Sequence, residues 1–361
     1  MLYVNLRKDR NGTMSTPRKL RVGFIGAGGI AQSQMKHFKN AVDVDLVAAS
    51  DISEAALAKT KDQYGVQQLY TDWKEMLRKE SLDAVSVCTP NGAHAVTTIA
   101  ALKAGCHVMV EKPLAMNAIE GQAMVNAAKK AHKQLVIGFQ WRFHPKVQFF
   151  RQQAKDGAFG KILFMRCQAI RRRGIPNWGV FGRKDLQGGG PMIDIGVHIM
   201  ECAHYVMGEP KPVAASGNTF RYIGDKPSAV ASQWPNWDYK TYTVEDLAVG
   251  QIRFENGAIL QVEASFAAHA KDAWNFSFMG EKGGGELEPL AVRTDRSGYM
   301  VDVTPAFLPN TDCFERKIRY FIDTALHGKP TEAPGESGLA VQKMLDGIYQ
   351  AAEKDKEVTI K

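Results

Sequence analysis

Lys112, Asp194 and His198 have the types and settings needed to take a proton from an alcohol. Lys112 stands in Glu111-Lys112-Pro113, directly after an apolar run. A lysine fixed at a strand end can donate a hydrogen bond to a substrate oxygen, and dry walls or a nearby positive charge lower its pKa. Asp194 and His198 lie in Gly188-Gly-Gly-Pro-Met-Ile-Asp194-Ile-Gly-Val-His198. If Asp194 opens a helix, His198 follows one turn later on the same face. An acid beside an imidazole fixes its tautomer and tunes its basicity, which suits a base that removes a hydroxyl proton as hydride leaves. Taken singly, each has an ordinary reading: a surface lysine before a loop proline, a packed helical histidine. Glu201 and His204 follow but project around different faces, and no H-E-x-x-H or paired cysteines accompany them, so no metal site is expected.

A second constellation suits a dinucleotide. The run Arg21-Val-Gly-Phe-Ile opens into Gly26-Ala27-Gly28-Gly29-Ile30-Ala31, a G-x-G-x-x-A pattern. Gly26 allows the tight turn, Gly28 lets backbone approach a pyrophosphate, and Ala31 lets the next helix pack closely; Gly29 and Ile30 begin that helix and offer amides. Asp51 ends the next apolar run, where an acid binds the adenosine ribose hydroxyls. A carboxylate there repels a 2′-phosphate, and Ile52-Ser53-Glu54 supplies no arginine to receive one, so NAD is favoured over NADP.

The elements needed to position these residues are legible. Leu20–Gly26, Val44–Ser50, Ala84–Thr89, His107–Val110 and Leu135–Phe139 read as buried parallel strands. Helix-like stretches alternate with them; Asp72 with Glu75, and Asn117 with Glu120, have capping-box spacing. Such alternation predicts a doubly wound α/β (Rossmann) domain. After Gln140 the strands crowd together, at 162–170, 213–219, 247–254, 259–266 and 275–279, with an Asn256-Gly257 signal for a type I′ hairpin. One helix interrupts them at 193–207, and two close the chain at 313–326 and 338–352. This predicts an α+β domain with a large, mostly antiparallel open sheet covered on one face. The expected divisions are a flexible basic arm over 1–18, an NAD-binding domain over 19–139, and a substrate-binding and oligomerisation domain over 140–361.

Composition bounds the rest. With 361 residues, 45% hydrophobic and 23% charged, the chain is long enough for two domains and too apolar to be disordered. The net charge of +8 is concentrated near the start, where Arg7, Lys8, Arg10, Arg18, Lys19 and Arg21 face Asp9 alone; no nucleic-acid partner is expected. No apolar run reaches membrane-spanning length. The arm lacks a secretory core, and Cys88, Cys106, Cys167, Cys202 and Cys313 are odd in number and scattered, so a reducing cytoplasmic setting is expected.

In order and spacing, Gly26-x-Gly28-x-x-Ala31, Cys88-Thr89-Pro90-Asn91 with His94, Glu111-Lys112-Pro113 and Asp194-x-x-x-His198 resemble the glucose-fructose oxidoreductase, inositol dehydrogenase and rhizopine catabolism (Gfo/Idh/MocA) family. The resemblance runs from about Leu20 to Val358. It implies a nicotinamide cofactor, a cyclic polyol or sugar substrate, and a homodimer or homotetramer formed through the second sheet. It implies that Lys112 bonds the reacting hydroxyl, Asp194 positions the sugar and the imidazole, and His198 is the general base. Thr89, Pro90, Asn91 and His94 are implied to line the nicotinamide side, and Glu111 to sit against its ribose.

Three residues are substrate candidates. Arg142, after the last strand of the first domain, can bind a hydroxyl or tie the domains together. Arg172, in Arg171-Arg172-Arg173, can clamp an acidic group, while its neighbours serve in salt bridges. Trp178 can stack on a pyranose face or anchor an interface, as can Trp234 and Trp237. The segment 171–180, with 234–238 and 244–246, is similar to members acting on glucosides, some at the C3 hydroxyl. The leading expectation is an NAD-dependent dehydrogenase acting on a ring secondary alcohol of a sugar, glycoside or inositol. The alternatives are a redox-neutral glycosidase with tightly held NAD and a non-catalytic dinucleotide sensor.

Overall fold

The computed structural model describes residues 18–361, together with the paired backbone of Arg7–Lys8 and Met14–Ser15. The expected flexible arm therefore lies almost wholly outside the described residues. Strands β1 (Leu20–Ile25), β2 (Val44–Ser50), β3 (Gln68–Tyr70), β4 (Ala84–Val87), β5 (His107–Val110) and β6 (Leu135–Ile137) form one parallel sheet in the order β3-β2-β1-β4-β5-β6. The order reverses between β1 and β4, the switch point at which doubly wound sheets bind ligands beyond their carboxyl ends. Val22, Phe24, Val85, Val87, Val108 and Val110 are all buried, as strands covered on both faces require. The edge strand β3, with its short Gln-Leu-Tyr sequence, has no apolar run that marks it in the sequence.

Helices α1 (Gly29–Asn40), α2 (Glu54–Tyr64), α3 (Trp73–Lys79), α4 (His94–Lys103) and α5 (Ala118–Ala131) pack around this sheet. Asp72 caps α3 by accepting from Lys74 N at 2.9 Å, and Asn117 caps α5 by accepting from Glu120 N at 2.9 Å. Glu120 turns its own carboxylate to Met116 N, one residue short of a reciprocal capping box.

Strands β7 (Ile162–Ile170), β8 (Pro212–Phe220), β9 (Leu247–Phe254), β10 (Ile259–Ser265), β11 (Ala273–Gly280), β12 (Gly283–Glu286), β13 (Ala291–Arg296), β14 (Tyr299–Val303) and β15 (Val358–Thr359) build a nine-stranded sheet in the order β14-β13-β12-β11-β7-β10-β9-β8-β15. Its pairings are antiparallel except β7 with β10. Met165, Cys167, Ala169, Leu260, Val262 and Ala264 are buried, whereas the alternating Arg166 is exposed and Gln168 and Glu263 are half-buried. One face is covered and the other open, as the pattern predicted. The strands of 283–303 and helix α6 (Pro145–Lys155) were not anticipated; α6 begins with His144 as its cap and Pro145 at its first position.

The β9–β10 hairpin forms, but its turn differs from the expected type I′. Gly257 has φ +81°, Asn256 does not share the left-handed conformation, and Gly257 N donates to Phe254 O at 2.9 Å. This is the three-residue turn with a glycine bulge, which needs a positive φ at one position only.

A π-helical turn, Met192–Gly196, leads into α7 (Val197–Val206). Helices α8 (Cys313–His327) and α9 (Gly335–Lys354) return to the first sheet: α8 packs on α1 and β1, α9 on α5 and β6 as well as on β8. The chain end thus joins the two layers and borders the cleft between them.

Candidate active site

The dinucleotide turn is shaped for a ligand. Gly26 has φ +91°, and a Cβ there would lie 2.5 Å from Cys88 O, so only glycine lets β1 pass this close to the end of β4. A Cβ on Gly28 would meet no protein atom within 4 Å, which leaves the turn open outward. Helix α1 starts here without a side-chain cap and without an acid in its first turn, so the amides of Gly29 and Ile30 remain available for an anion. Asp51 follows β2 and accepts from Ala27 N at 2.7 Å and Ser53 N at 2.8 Å, which places its carboxylate beside the turn. Thr89 Oγ1 is buried with no partner among the described residues. An open anion-binding turn, an adjacent acid and an unsatisfied hydroxyl fit a dinucleotide.

Across the cleft, Lys112 Nζ donates to Asp194 Oδ1 and to Asp194 O, each at 2.9 Å. Lys112 comes from the end of β5 and Asp194 from the π-turn, so this pair bridges the two layers. The expected contact of Asp194 with His198 is not made. In a π-turn the hydrogen-bonded spacing lengthens to five residues, and Asp194 faces Lys112 while His198 Nδ1 has no partner among the described residues. Burial holds the His198 imidazole well below its usual pKa, and the charges of Lys112, Lys317 and Arg171 push it the same way. It is neutral at pH 7, which leaves a nitrogen free to accept a proton. The ring lies beside Trp274, with centroids 6.1 Å apart.

The other expected residues divide. Asn91 reaches across the cleft, donating from Nδ2 to Gln187 O at 2.9 Å; Pro90 precedes it at the same turn. His94, expected on the nicotinamide side, is buried with Nδ1 2.8 Å from Pro113 O and Nε2 3.0 Å from Thr89 O. It staples the two cofactor-side loops from behind. Glu111, expected against the ribose, is also buried: Oε1 accepts from Lys317 Nζ at 2.7 Å and Gln34 Nε2 at 2.6 Å. Burial alone would raise its carboxyl, but Lys317 beside it and Lys112 next in sequence hold it below the usual range.

Arg142 is not a substrate ligand. It is fully buried, donating from Nε to Glu201 Oε2 at 2.6 Å, from Nη1 to Glu332 O at 2.6 Å and from Nη2 to Glu209 Oε1 at 2.8 Å. Its guanidinium is sandwiched between the rings of Phe139 and Tyr205, 5.1 and 4.7 Å from their centroids. Arg172 is exposed, and its backbone N rather than its guanidinium bonds Asp272. Arg171 is the arginine near the reacting group: it stacks 5.0 Å over Trp234 and feels the charge of Asp194. Trp178 is 50% exposed and meets Trp234 edge-on at 4.7 Å, whereas Trp237 is a core anchor donating from Nε1 to Gly224 O at 2.8 Å.

Three residues of the site went unread in the sequence, Gln34, Trp274 and Lys317, and Glu245 was noted there only as part of the segment 244–246. Glu245 accepts from Gly190 N at 2.9 Å and Met192 N at 3.3 Å and so fixes the loop that carries Asp194. Lys317 alone had a readable signal. It is a lone cation on the α8 face otherwise buried through Ile318, Phe321 and Ile322.

These two halves of one cleft define a dinucleotide-dependent oxidoreductase. The chain belongs to the Gfo/Idh/MocA family. Residues 20–139 match the oxidoreductase family with an NAD-binding Rossmann fold, and residues 147–286 match the GFO/IDH/MocA C-terminal domain. D-glucoside 3-dehydrogenase of Escherichia coli is 37% identical over 349 residues, covering 96% of this chain and 99% of that one. Myo-inositol 2-dehydrogenase of Thermotoga maritima is 28% identical over 94% of this chain and 96% of its own. The crystal structure of aldose-aldose oxidoreductase from Caulobacter crescentus, complexed with glycerol, matches with TM-score 0.78 at 26% identity over 95% of this chain and all of that one. NAD is the cofactor the family match supports.

Proposed function

We propose that the protein oxidises a ring secondary alcohol of a sugar, glycoside or cyclic polyol, or reduces the corresponding ketone, with the C3 hydroxyl of a glucoside as the favoured target. The observation that carries this reading is the Lys112–Asp194 pair spanning the cleft beside a neutral His198 whose Nδ1 has no partner among the described residues. NAD, when bound, would supply the hydride acceptor for the carbinol carbon. Gly26, Gly28 and the amides of Gly29 and Ile30 would hold its pyrophosphate, Asp51 its ribose, and Thr89, Pro90 and Asn91 its nicotinamide side. His198 takes the hydroxyl proton, Lys112 donates a hydrogen bond to the oxygen as negative charge develops, and Asp194 orients Lys112 and the sugar. The dehydrogenase relatives favour neither a redox-neutral hydrolase nor a non-catalytic sensor.

The test is a panel of methyl and aryl glucosides, hexoses and inositols with NAD, followed by absorbance of the reduced cofactor. Turnover is expected with glucosides. Absence of turnover across the panel in a chain that binds NAD would overturn the proposal. The neutral His198 adds an expected pH profile. Since its folded-state pKa lies below the ordinary value of about 6.5, oxidation retains its base on acidification and the acidic limb of kcat/KM falls below that pH. A limb above 7 would reject His198 as the base.

Asp51→Ala is expected to raise KM for NAD roughly ten- to a hundredfold, the worth of about 1.5–3 kcal/mol for hydrogen bonds to a charged group. It should also narrow the preference over NADP, because the repulsion of a 2′-phosphate is gone. Initial rates with both cofactors check this.

Among the described residues no helix is long and apolar enough to cross a membrane. The five free cysteines suit a cytoplasmic setting. The open face of the nine-stranded sheet carries Met279, 60% exposed, and through it two or four copies assemble. A monomer by light scattering at micromolar concentration would contradict that assembly.

A further inference from the structure

Beneath the Lys112 turn lies a buried ion pair that the chemistry above does not use. Lys317, on α8, is 1% exposed, and its Nζ donates to Glu111 Oε1 at 2.7 Å. The same oxygen accepts from Gln34 Nε2, whose Oε1 accepts from Ser86 Oγ at 2.6 Å. The other oxygen of Glu111 accepts from Lys112 N at 3.3 Å. A Cβ on residue 138 would lie 2.8–3.0 Å from the Glu111 carboxylate, so glycine there leaves the room it occupies. Helix α8 is itself locked onto the first layer, with Phe321 edge-on to Phe38 of α1 at 6.2 Å.

Desolvating an ammonium and a carboxylate costs several kcal/mol per ion, and apolar side chains of similar volume often stabilise as well or better. A lysine on this apolar helix face therefore calls for a use other than stability. Its partner is the residue adjoining the lysine that enters the cleft. We propose that Lys317 is a positioning residue for the reaction: its ammonium holds Glu111, and Glu111 holds the backbone of the Lys112 turn. The cation presented to substrate is thus set by a side chain 206 positions beyond Glu111. This rests on Lys112 and His198 being the reacting pair.

The surrounding charges give the arrangement a signature that a purely structural role lacks. The cations acting on His198 are Lys112, Lys317 and Arg171. The nearby carboxylates are Asp194, paired with Lys112; Glu111, paired with Lys317; and Glu201, one turn on in α7 and turned to Arg142. Lys317→Met removes one cation and leaves Glu111 uncompensated, so the imidazole protonates more readily. Glu111→Gln acts in the opposite sense. Glu111→Gln/Lys317→Met removes both charges and restores the balance without restoring the hold on Lys112.

The experiment combines an NMR titration of His198 in the ligand-free chain, its signal identified with His198→Asn, with kcat and KM for the oxidised sugar. Lys317→Met should raise the His198 midpoint by about one pH unit, and the double variant should return it close to the wild-type value. Both should lower kcat about tenfold or more, the effect of a misplaced reacting group, with little change in KM for the sugar; Lys317→Arg should recover part of it. A Lys317→Met protein with wild-type titration and wild-type kcat overturns the proposal, as does a loss confined to thermal stability. If Lys317→Met does not fold, the charge-matched double variant decides: a tenfold lower kcat supports the proposal and a wild-type kcat overturns it. If the wild-type chain oxidises no sugar, the functional reading fails on its own, and the titration still decides whether Lys317 acts on His198.

Discussion

Lys112→Ala and His198→Ala are each expected to lower kcat for the proposed sugar oxidation by on the order of a hundredfold to ten-thousandfold, the usual range for a positioned acid–base group. The loss should fall on kcat more than on KM, because in the proposed reaction both groups act chiefly on charge that appears as the carbon–hydrogen bond breaks. The two effects combine to less than their product, since a proton acceptor without the lysine donor, or the donor without an acceptor, serves the same step poorly. Lys112→Ala also removes the ammonium paired with Asp194, and this changes stability little because that pair keeps partial access to water. Stopped-flow traces of cofactor reduction separate chemistry from release. Rates within threefold of wild type in both variants would reject the assignment.

Arg142→Met is expected to destabilise the protein by about 3–5 kcal/mol, the cost of removing one partner of a buried ionic group. Arg142 spends its donors on Glu201 in α7, on Glu209 in the turn that ends α7 and on the backbone of Glu332 far along the chain. Burial already pushes the Glu201 carboxyl up to about 7 against the pull of Arg142. Without the guanidinium it rises further, so the folded variant favours a protonated Glu201 while the unfolded chain keeps an ordinary glutamate. For an acid with a raised folded-state pKa, stability is highest below the unfolded-state value and is lost as pH climbs through the folded one. The deficit is therefore larger at pH 8 than at pH 5.5, and Arg142→Met/Glu201→Gln recovers much of it. Urea titrations at the two pH values check both statements. A deficit below about 1 kcal/mol, typical of surface pairs, would show that Arg142 does not tie the layers.

What the sequence revealed and what it hid follow different physics. The strands at 44–50, 107–110, 162–170 and 247–254 have the bounds that their apolar runs suggest, because burial on one or both faces imprints a local pattern. Gly26, Gly28 and Asp51 were readable for a similar reason: a tight turn, an uncapped helix start and an acid at a strand end are defined within a few residues of chain. Of the two uses left open for Arg142 the structure shows the tie between the layers, and Arg172 faces solvent; an arginine looks alike in sequence whether it meets substrate, solvent or a buried glutamate. Partners such as Glu201 and Glu332, 59 and 190 positions away from Arg142, leave no trace near it.

The sequence by itself determined a nicotinamide-binding parallel sheet, a one-faced antiparallel sheet after it, and the three residue types that can move a proton and steady an alkoxide. Only the tertiary structure decided that Asp194 serves Lys112 rather than His198, that His94 and Glu111 support the cleft from behind, that Lys317 lies beneath the Lys112 turn on Glu111, and that Trp274 lies beside His198. Helix and strand periodicities are short-range consequences of backbone geometry and burial. The electrostatics of a site depend instead on which distant segments share a dry volume, and that is settled only when the layers pack.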